Sequence, residues 1–347
     1  MHNALSELGW NETFLRALPE LVDLSDDQLI GRVKRLDRGW STFLCVTVGE
    51  IAATPTLREC RVRNIGTDVA VGDWILVTPD LERIVKVLPR QSRLVRRASS
   101  DGTRNEAQTL AANINFVFLV HGLDTAPNER RLERELVLAF DSGAQPVVVL
   151  TKSDTASAST ITEAQAIMVA TSLGVRVHVV SSVTGDGLTE LRDYTRDGAT
   201  IAVLGASGVG KSTLVNALTG TESQQTGATR EGDNKGRHTT TAVDLVALPT
   251  AGWLIDTPGV RAVSLWTSGR GIERAFQDIF TLAERCKFRD CKHGTEPACA
   301  VQEAIGTGAL DAARLESMGR LVEEEAALEE EQERAERDAR YCGWCDG

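Results

Sequence analysis

Residues 205–212 read Gly205-Ala206-Ser207-Gly208-Val209-Gly210-Lys211-Ser212, with Thr213 next. The spacing is G-x-x-x-x-G-K-S. It follows an apolar run at 201–204 and opens a helical stretch at 212–218, the strand-to-helix context that a phosphate-binding loop requires. Glycines let such a loop wrap so that successive N–H groups face phosphate oxygens, and the helix N-terminus adds positive potential. Lys211 then reaches the β and γ phosphates and the Ser212 hydroxyl ligates Mg²⁺. The chain is expected to bind a nucleoside triphosphate.

Working outward, Asp256-Thr257-Pro258-Gly259 ends a second apolar run at 253–255 and fits D-x-x-G. It places Asp256 near the Mg²⁺ shell and offers the Gly259 N–H to the γ-phosphate. Between the two motifs, residues 236–241 carry His238 and the hydroxyls of Thr239, Thr240 and Thr241. Any one of the three threonines suits a loop ordered on γ-phosphate and Mg²⁺. On the amino-terminal side, Thr151-Lys152-Ser153-Asp154 follows the run 146–150 and resembles the N-K-x-D guanine motif of GTPases. Asp154 would accept from guanine N1–H and N2–H₂, with Lys152 along the base. Ser181-Ser182-Val183, after the run 175–180, resembles the segment that backs the base from the other side. Thr151 stands where the pattern has Asn and keeps one hydroxyl in place of an amide's two hydrogen-bonding arms.

These segments resemble the five GTPase motifs in the order fourth, fifth, first, second, third. A parallel sheet tolerates such a cut because its site residues meet in space rather than in sequence. Residues 112–271 are thus expected to form a circularly permuted P-loop GTPase domain. The position after D-x-x-G, where many GTPases carry a water-orienting glutamine, is Val260. Intrinsic hydrolysis is expected to be slow, with His238 the internal candidate for a catalytic water holder.

Further on, Cys286-x₄-Cys291-x-His293-x₅-Cys299 gathers three thiols and an imidazole within fourteen residues. That donor set suits a closed tetrahedral zinc site. It falls in a mostly helical region, 272–320, followed by an acidic tail at 321–347. Upstream of the GTPase region, residues 29–92 hold short β-branched runs separated by turns, which predicts a five-stranded all-β barrel. Residues 1–28 form an extension with no motif.

The chain has 347 residues, 42% hydrophobic content and a net charge of −11. That length predicts two or three domains, and the hydrophobic content excludes a mainly disordered chain. The negative charge is concentrated at the ends: residues 1–28 carry −5 and residues 311–338 carry −7, leaving the body near +1. Within it, residues 83–104 hold seven basic side chains against Asp101 alone. Arg90, Arg93, Arg96 and Arg97 in this stretch, part of it a basic linker at 93–111, are the candidate RNA-binding residues. No transmembrane span or secretory leader is legible, and seven cysteines without a disulfide framework point to reduced, cytoplasmic thiols.

A barrel, a permuted GTPase and a Cys₃His element in this order resemble the RsgA (YjeQ) family, circularly permuted GTPases of small ribosomal subunit biogenesis. The resemblance covers roughly residues 29–310. It implies an OB-fold barrel, a C-terminal helical zinc-binding domain, one structural Zn²⁺ and Mg²⁺ with GTP. It also implies a GTPase stimulated by the small ribosomal subunit, with rRNA and GTP/GDP as partners, no membrane, and a monomeric protein. The competing readings are a P-loop kinase or ATPase, a large-subunit assembly GTPase, and an RNA-binding scaffold with little turnover.

Overall fold

The structure is a computed structural model and describes residues 5–21, 29–47, 56–97, 107–220, 243–256 and 270–342. Five strands open the chain: β1 (Leu29–Asp37), β2 (Trp40–Thr47), β3 (Thr56–Arg63), β4 (Trp74–Val77) and β5 (Ile84–Val87). The β1–β2 hairpin turns on Arg38-Gly39, with Asp37 opposite Trp40. Strand β2 pairs with β3, β1 with β4 and β4 with β5, all antiparallel. A parallel bridge from Arg63 to Arg83 closes the circuit in the order β1-β2-β3-β5-β4. Alternate residues fill the interior, among them Val33, Phe43, Cys45, Cys60, Val62, Ile75 and Val77. This is the expected OB-type barrel.

The stretch read as a basic linker is instead a paired ribbon. Strand β6 (Arg93–Arg97) runs antiparallel to β7 (Ala107–Ala112), and Val71 bridges to Ala111. Leu94 and Val95, adjacent between Arg93 and Arg96 with an irregularity in the pairing between them, are both buried, so the segment packs and does not behave as a solvated tether.

The second half of the sheet consists of β8 (Phe116–Gly122), β9 (Gln145–Thr151), β10 (Val177–Val179), β11 (Thr200–Gly205), β12 (Asp244–Ala247) and β13 (Trp253–Asp256). Their order is β10-β9-β8-β11-β13-β12, parallel except for β12. The strands are apolar at nearly every position because both faces are covered. Phe118, Val120, Val147, Ile201 and Val203 pack against Leu214 and Leu218 of α5 (Lys211–Thr219) and Leu188 and Leu191 of α4 (Leu188–Asp193). On the other face Val117, Leu119, Val148 and Leu204 meet α2 (Glu129–Ser142) and α3 (Ala158–Ser172) through Leu132, Leu136 and Met168. Strand β1 pairs with β12 at Arg35 and Asp244, so the barrel and this sheet are one eleven-stranded structure among the described residues.

The carboxy-terminal part holds α6 (Arg270–Ala275), α7 (Gln277–Ala283), the cysteine loop, α8 (Ala300–Gly306) and α9 (Ala312–Cys342). The division expected at residue 320 falls inside α9, a continuous helix of 31 residues. An Ala-, Glu-, Leu- and Arg-rich sequence has no reason to break there, and Leu321 is buried. Helix α9 lies along α2, with Arg130 on Glu316 at 3.4 Å and Arg134 on Glu324. Arg314 bridges Glu133 of α2 and Asp278 of α7, at 2.9 and 2.6 Å.

The amino-terminal extension has a structural part to play. Asn11 caps α1 (Glu12–Leu21), its Oδ1 accepting from Thr13 N at 3.0 Å. Leu5, Leu8, Trp10 and Phe14 are buried, and the rings of Trp10 and Trp74 meet edge to face with centroids 4.7 Å apart. Trp253, which starts β13, donates Nε1–H to Glu7 O at 2.8 Å. Arg32 of β1 is buried among these parts. Its guanidinium donates to Leu8 O, Asn113 O, Gly72 O and Thr200 Oγ1. Burial pushes Arg32 down to about 9, against the opposing pull of Asp73.

Candidate nucleotide site and metal centre

The parallel strands all end on one side of the sheet, where their order reverses between β11 and β8. Such a switch point opens a crevice beyond the strand ends. The loop after β11 turns through left-handed glycines, Gly208 at φ +81° and Gly210 at φ +95°. It delivers Lys211 and Ser212 to the first turn of α5, whose N-terminus carries no side-chain cap. Those N–H groups, with Thr213 behind them, open the helix without a side-chain partner, as an anion site would require. Lys211 Nζ lies back over the loop, donating to Gly205 O at 2.9 Å and to Ala206 O.

Strand β9 brings the guanine-type motif against this loop. Thr151, its last residue, is buried and donates its hydroxyl to Val209 O at 2.5 Å, with His121 O at 3.2 Å. Lys152 follows in a left-handed conformation, φ +63°. Its Nζ donates to Gly208 O and to Asp124 Oδ2, both at 2.6 Å. Ser153 N donates to Val180 O at 3.3 Å, joining this turn to the end of β10. The exposed Asp154 receives the Ser181 hydroxyl on Oδ1 at 2.6 Å. Ser181 Oγ also accepts from Val183 N at 3.2 Å, fixing the segment, and Ser182 Oγ is buried with no partner among the described residues. The fourth, fifth and first motifs are therefore in direct contact, through Thr151, Lys152 and Ser181. Asp256 ends β13, which runs parallel to β11, so its backbone reaches the same side of the sheet. Residues 236–241, with His238, Thr239, Thr240 and Thr241, lie outside the described residues, as do Gly259 and Val260.

Cys286, Cys291, His293 and Cys299 converge, all donor atoms lying within 4.8 Å of one another. Zinc–sulfur and zinc–nitrogen bonds of about 2.3 and 2.05 Å give tetrahedral edges of roughly 3.8 Å between sulfurs and 3.6 Å from sulfur to nitrogen. The structure has Cys286 Sγ 3.9 Å from Cys299 Sγ, and His293 Nδ1 3.7 and 3.5 Å from those two sulfurs. The donor set fits a four-coordinate ion with no open position. The local fold supports it: His293 takes φ +59°, its carbonyl accepts from Gln302 Nε2 at 2.5 Å, and Cys299 starts α8 as its N-cap. Cys345 of the tail lies outside the described residues.

Among the RNA candidates, Arg93 is exposed on β6, and Arg96 and Arg97 follow it on the same strand. Arg90 is a correction. Its guanidinium grips the fully buried Asp73 in bidentate fashion, at 2.8 and 2.7 Å, and reaches Asp68 at 3.1 Å. A guanidinium spent on a buried carboxylate locks the barrel and does not serve a phosphate. Burial holds the Asp73 carboxyl above its ordinary range, against the pull of Arg90. A surface the sequence reading missed lies across the β2–β3 pair. Trp40 is exposed, and Arg61 and Arg63 stand over its ring at 5.2 and 5.4 Å. The signal was the alternation of Arg61 and Arg63, whose partner across the hairpin only the register reveals.

Comparison with known proteins agrees with this geometry. Residues 87–266 match the family described as RsgA GTPase. A small ribosomal subunit biogenesis GTPase RsgA of Streptomyces coelicolor is 42% identical over 330 residues, covering 93% of this chain and 87% of that protein. The crystal structure of YjeQ from Thermotoga maritima superposes with a TM-score of 0.63 at 25% identity, covering 86% of this chain and 99% of that one. YloQ, described as a circularly permuted GTPase, shares the fold at a TM-score of 0.61 and 22% identity, over 86% and 96% of the two chains. Among the described residues, no helix is long and apolar enough to cross a membrane. With the permuted strand order, the loop contacts and the match over most of its length in agreement, the chain belongs to the RsgA family of circularly permuted GTPases.

Proposed function

We propose that this protein hydrolyses GTP while bound to the small ribosomal subunit late in its maturation, and that the subunit stimulates turnover. The observation that carries the nucleotide half is the direct seam between the guanine-type turn and the phosphate loop, Thr151 to Val209 and Lys152 to Gly208. Base recognition and phosphate binding then act on one rigid element. Asp154 selects guanine through its paired donors; Lys211 and the first turn of α5 take the phosphates; Ser212 and Asp256 hold the Mg²⁺ that accompanies GTP and neutralises charge on the transferred phosphoryl group. One of Thr239, Thr240 and Thr241 completes that shell, Gly259 senses the γ-phosphate, and His238 holds the attacking water in place of the missing glutamine.

The subunit half rests on the name of the Streptomyces relative over 93% of the chain and on the cationic surfaces. Arg93, Arg96 and Arg97, with Trp40 beside Arg61 and Arg63, combine phosphate contacts and a stacking face of the kind that suits unpaired rRNA. The Cys₃His site takes one structural Zn²⁺, which cross-links its loop and has no open position for chemistry. The protein works as a cytoplasmic monomer, with units at 29–92 and 112–271 followed by a carboxy-terminal helical part that starts at 272 and runs on through the long last helix.

The test is GTP turnover by the protein alone, with small subunits, and with large subunits. Stimulation by small subunits only is the expected result, and His238→Ala then lowers the stimulated rate. Stimulation by large subunits alone, or by neither with GTP binding intact, refutes the proposal.

A further inference from the structure

The carboxylate of Asp124 has no place in the five motifs, yet it touches Lys152, one of the two residues that link base site and phosphate loop. We infer that Asp124 is a positioning residue for the guanine site, holding Lys152 across the phosphate loop to replace the tether that Thr151 cannot supply. The inference rests on the guanine reading of residues 151–154.

The argument begins with proton counting. A threonine hydroxyl has one proton, and here it goes to Val209 O. An asparagine amide at that position would have two N–H donors and a carbonyl. The second bond to the loop comes instead from Lys152, whose Nζ donates to Gly208 O at 2.6 Å. A lysine ammonium on four rotatable carbons is a poor fixed tether unless something orients it. Asp124 Oδ2 does so, 2.6 Å away on the other side of the same nitrogen.

The backbone is arranged for this contact. Leu123 N donates to Thr151 O at 3.0 Å, carrying the β8–β9 pairing past the strand end and bringing Asp124 beside Lys152. Glycine at 122 leaves the carboxylate its place, since a Cβ there would sit 2.4 Å from Asp124 Oδ1 and push that side chain aside. Lys152 itself occupies the left-handed region at φ +63°, a conformation that costs a non-glycine residue energy and persists only where its surroundings hold it. The pair is 28% and 44% exposed at Lys152 and Asp124, open enough for the lysine stem to lie along an incoming base.

Asp124→Ala and Asp124→Asn, with Asp124→Glu and Thr151→Asn/Asp124→Ala, test this in the full-length protein. The measurements are affinity for a fluorescent GDP analogue and steady-state GTP turnover. The Ala and Asn variants are expected to raise the GDP dissociation constant and the GTP KM about fivefold, the upper end for a partly exposed ion pair. The turnover number should stay within about twofold, since the tether serves binding more than the transition state. Asp124→Glu should recover most of the loss, and Thr151→Asn should improve the Asp124→Ala variant by a larger factor than it improves the unsubstituted protein, which is the signature of coupled residues. Unchanged dissociation constants in both Ala and Asn variants overturn the inference. So does a loss that Glu does not repair, or one matched by an equal fall in melting temperature. If the unsubstituted protein binds ATP as tightly as GTP, it is the guanine reading that has failed, and the inference falls with it.

Discussion

Replacing Arg314 by methionine should detach the carboxy-terminal helices from the GTPase domain in a pH-dependent way. The guanidinium donates to Glu133 Oε1 at 2.9 Å, to both Asp278 oxygens at 2.6 and 3.0 Å, and to Ala275 O at 2.8 Å. It also covers the ring of Phe276 at 4.9 Å. Methionine keeps much of that apolar contact, so the variant isolates the polar loss. Glu133 is buried at 3% exposure, and removing one partner of a buried pair costs about 3–5 kcal/mol. In a cooperative unit of 150–250 residues, 3 kcal/mol corresponds to about 6–12 °C in melting temperature.

Burial already holds the Glu133 carboxyl above its ordinary range, with Ser317 and Arg314 pulling it down and Glu129 pushing it up. A carboxyl raised in the folded state binds its proton better there than when unfolded. Its contribution to stability is therefore fullest below the ordinary carboxylate value and is lost as pH rises through the folded one. Without Arg314 that folded value rises further. The penalty of Arg314→Met should then be smaller at pH 5 than at pH 7.5, and Glu133→Gln added to it should recover part of the loss at pH 7.5. Thermal melting of the unsubstituted protein and the two variants at both pH values decides the matter. A penalty equal at pH 5 and 7.5, or one that Glu133→Gln fails to reduce, refutes the reasoning.

Other consequences are as direct. Treatment with a chelator, or Cys299→Ser, should leave GTP binding intact while making residues 286–299 sensitive to protease, because an ion held by the four converging donors would crosslink that loop. Arg90→Met should cost about 3–5 kcal/mol of stability by stranding Asp73 in the barrel, whereas Arg93→Ala should leave stability unchanged and weaken binding to small subunits; equal melting temperatures for the two variants would contradict that division. Trp10→Ala, which empties the space against Trp74 and Phe14, should cost about 3–5 kcal/mol in urea unfolding, and a loss below about 1 kcal/mol would show that the amino-terminal segment is not part of the core.

What could be read from the sequence was what depends on local spacing. The loop at 205–212 and the Cys₃His set carry their geometry within a few residues, so composition and interval suffice. The barrel and the parallel strands were legible because alternating and continuous apolar runs follow directly from which faces are covered. Pairings made by the fold were not legible. Arg90 counted as a free cation until the turn at Gly72 and Asp73 placed a buried carboxylate beside it, 17 residues away. Arg32 looked like one more strand residue, yet its four acceptors come from residues 8, 72, 113 and 200. Asp124 belongs to no motif because its partner is 28 positions on and its place depends on the β8–β9 register. The extension at 5–21 carried no pattern beyond scattered aromatics, and its role depends on a cavity formed by the barrel and the start of β13.

The joining of β1 to β12 determines what this protein offers to other chains. An open sheet normally ends in a row of unpaired N–H and C=O groups, a template for further strands and a hazard in a crowded cell. Here the sheet runs from β10, only three residues long, to a far side that curls round and meets itself at Arg63 and Arg83. Among the described residues, this short end strand and the closed barrel leave less free strand edge than an open sheet of the same size would.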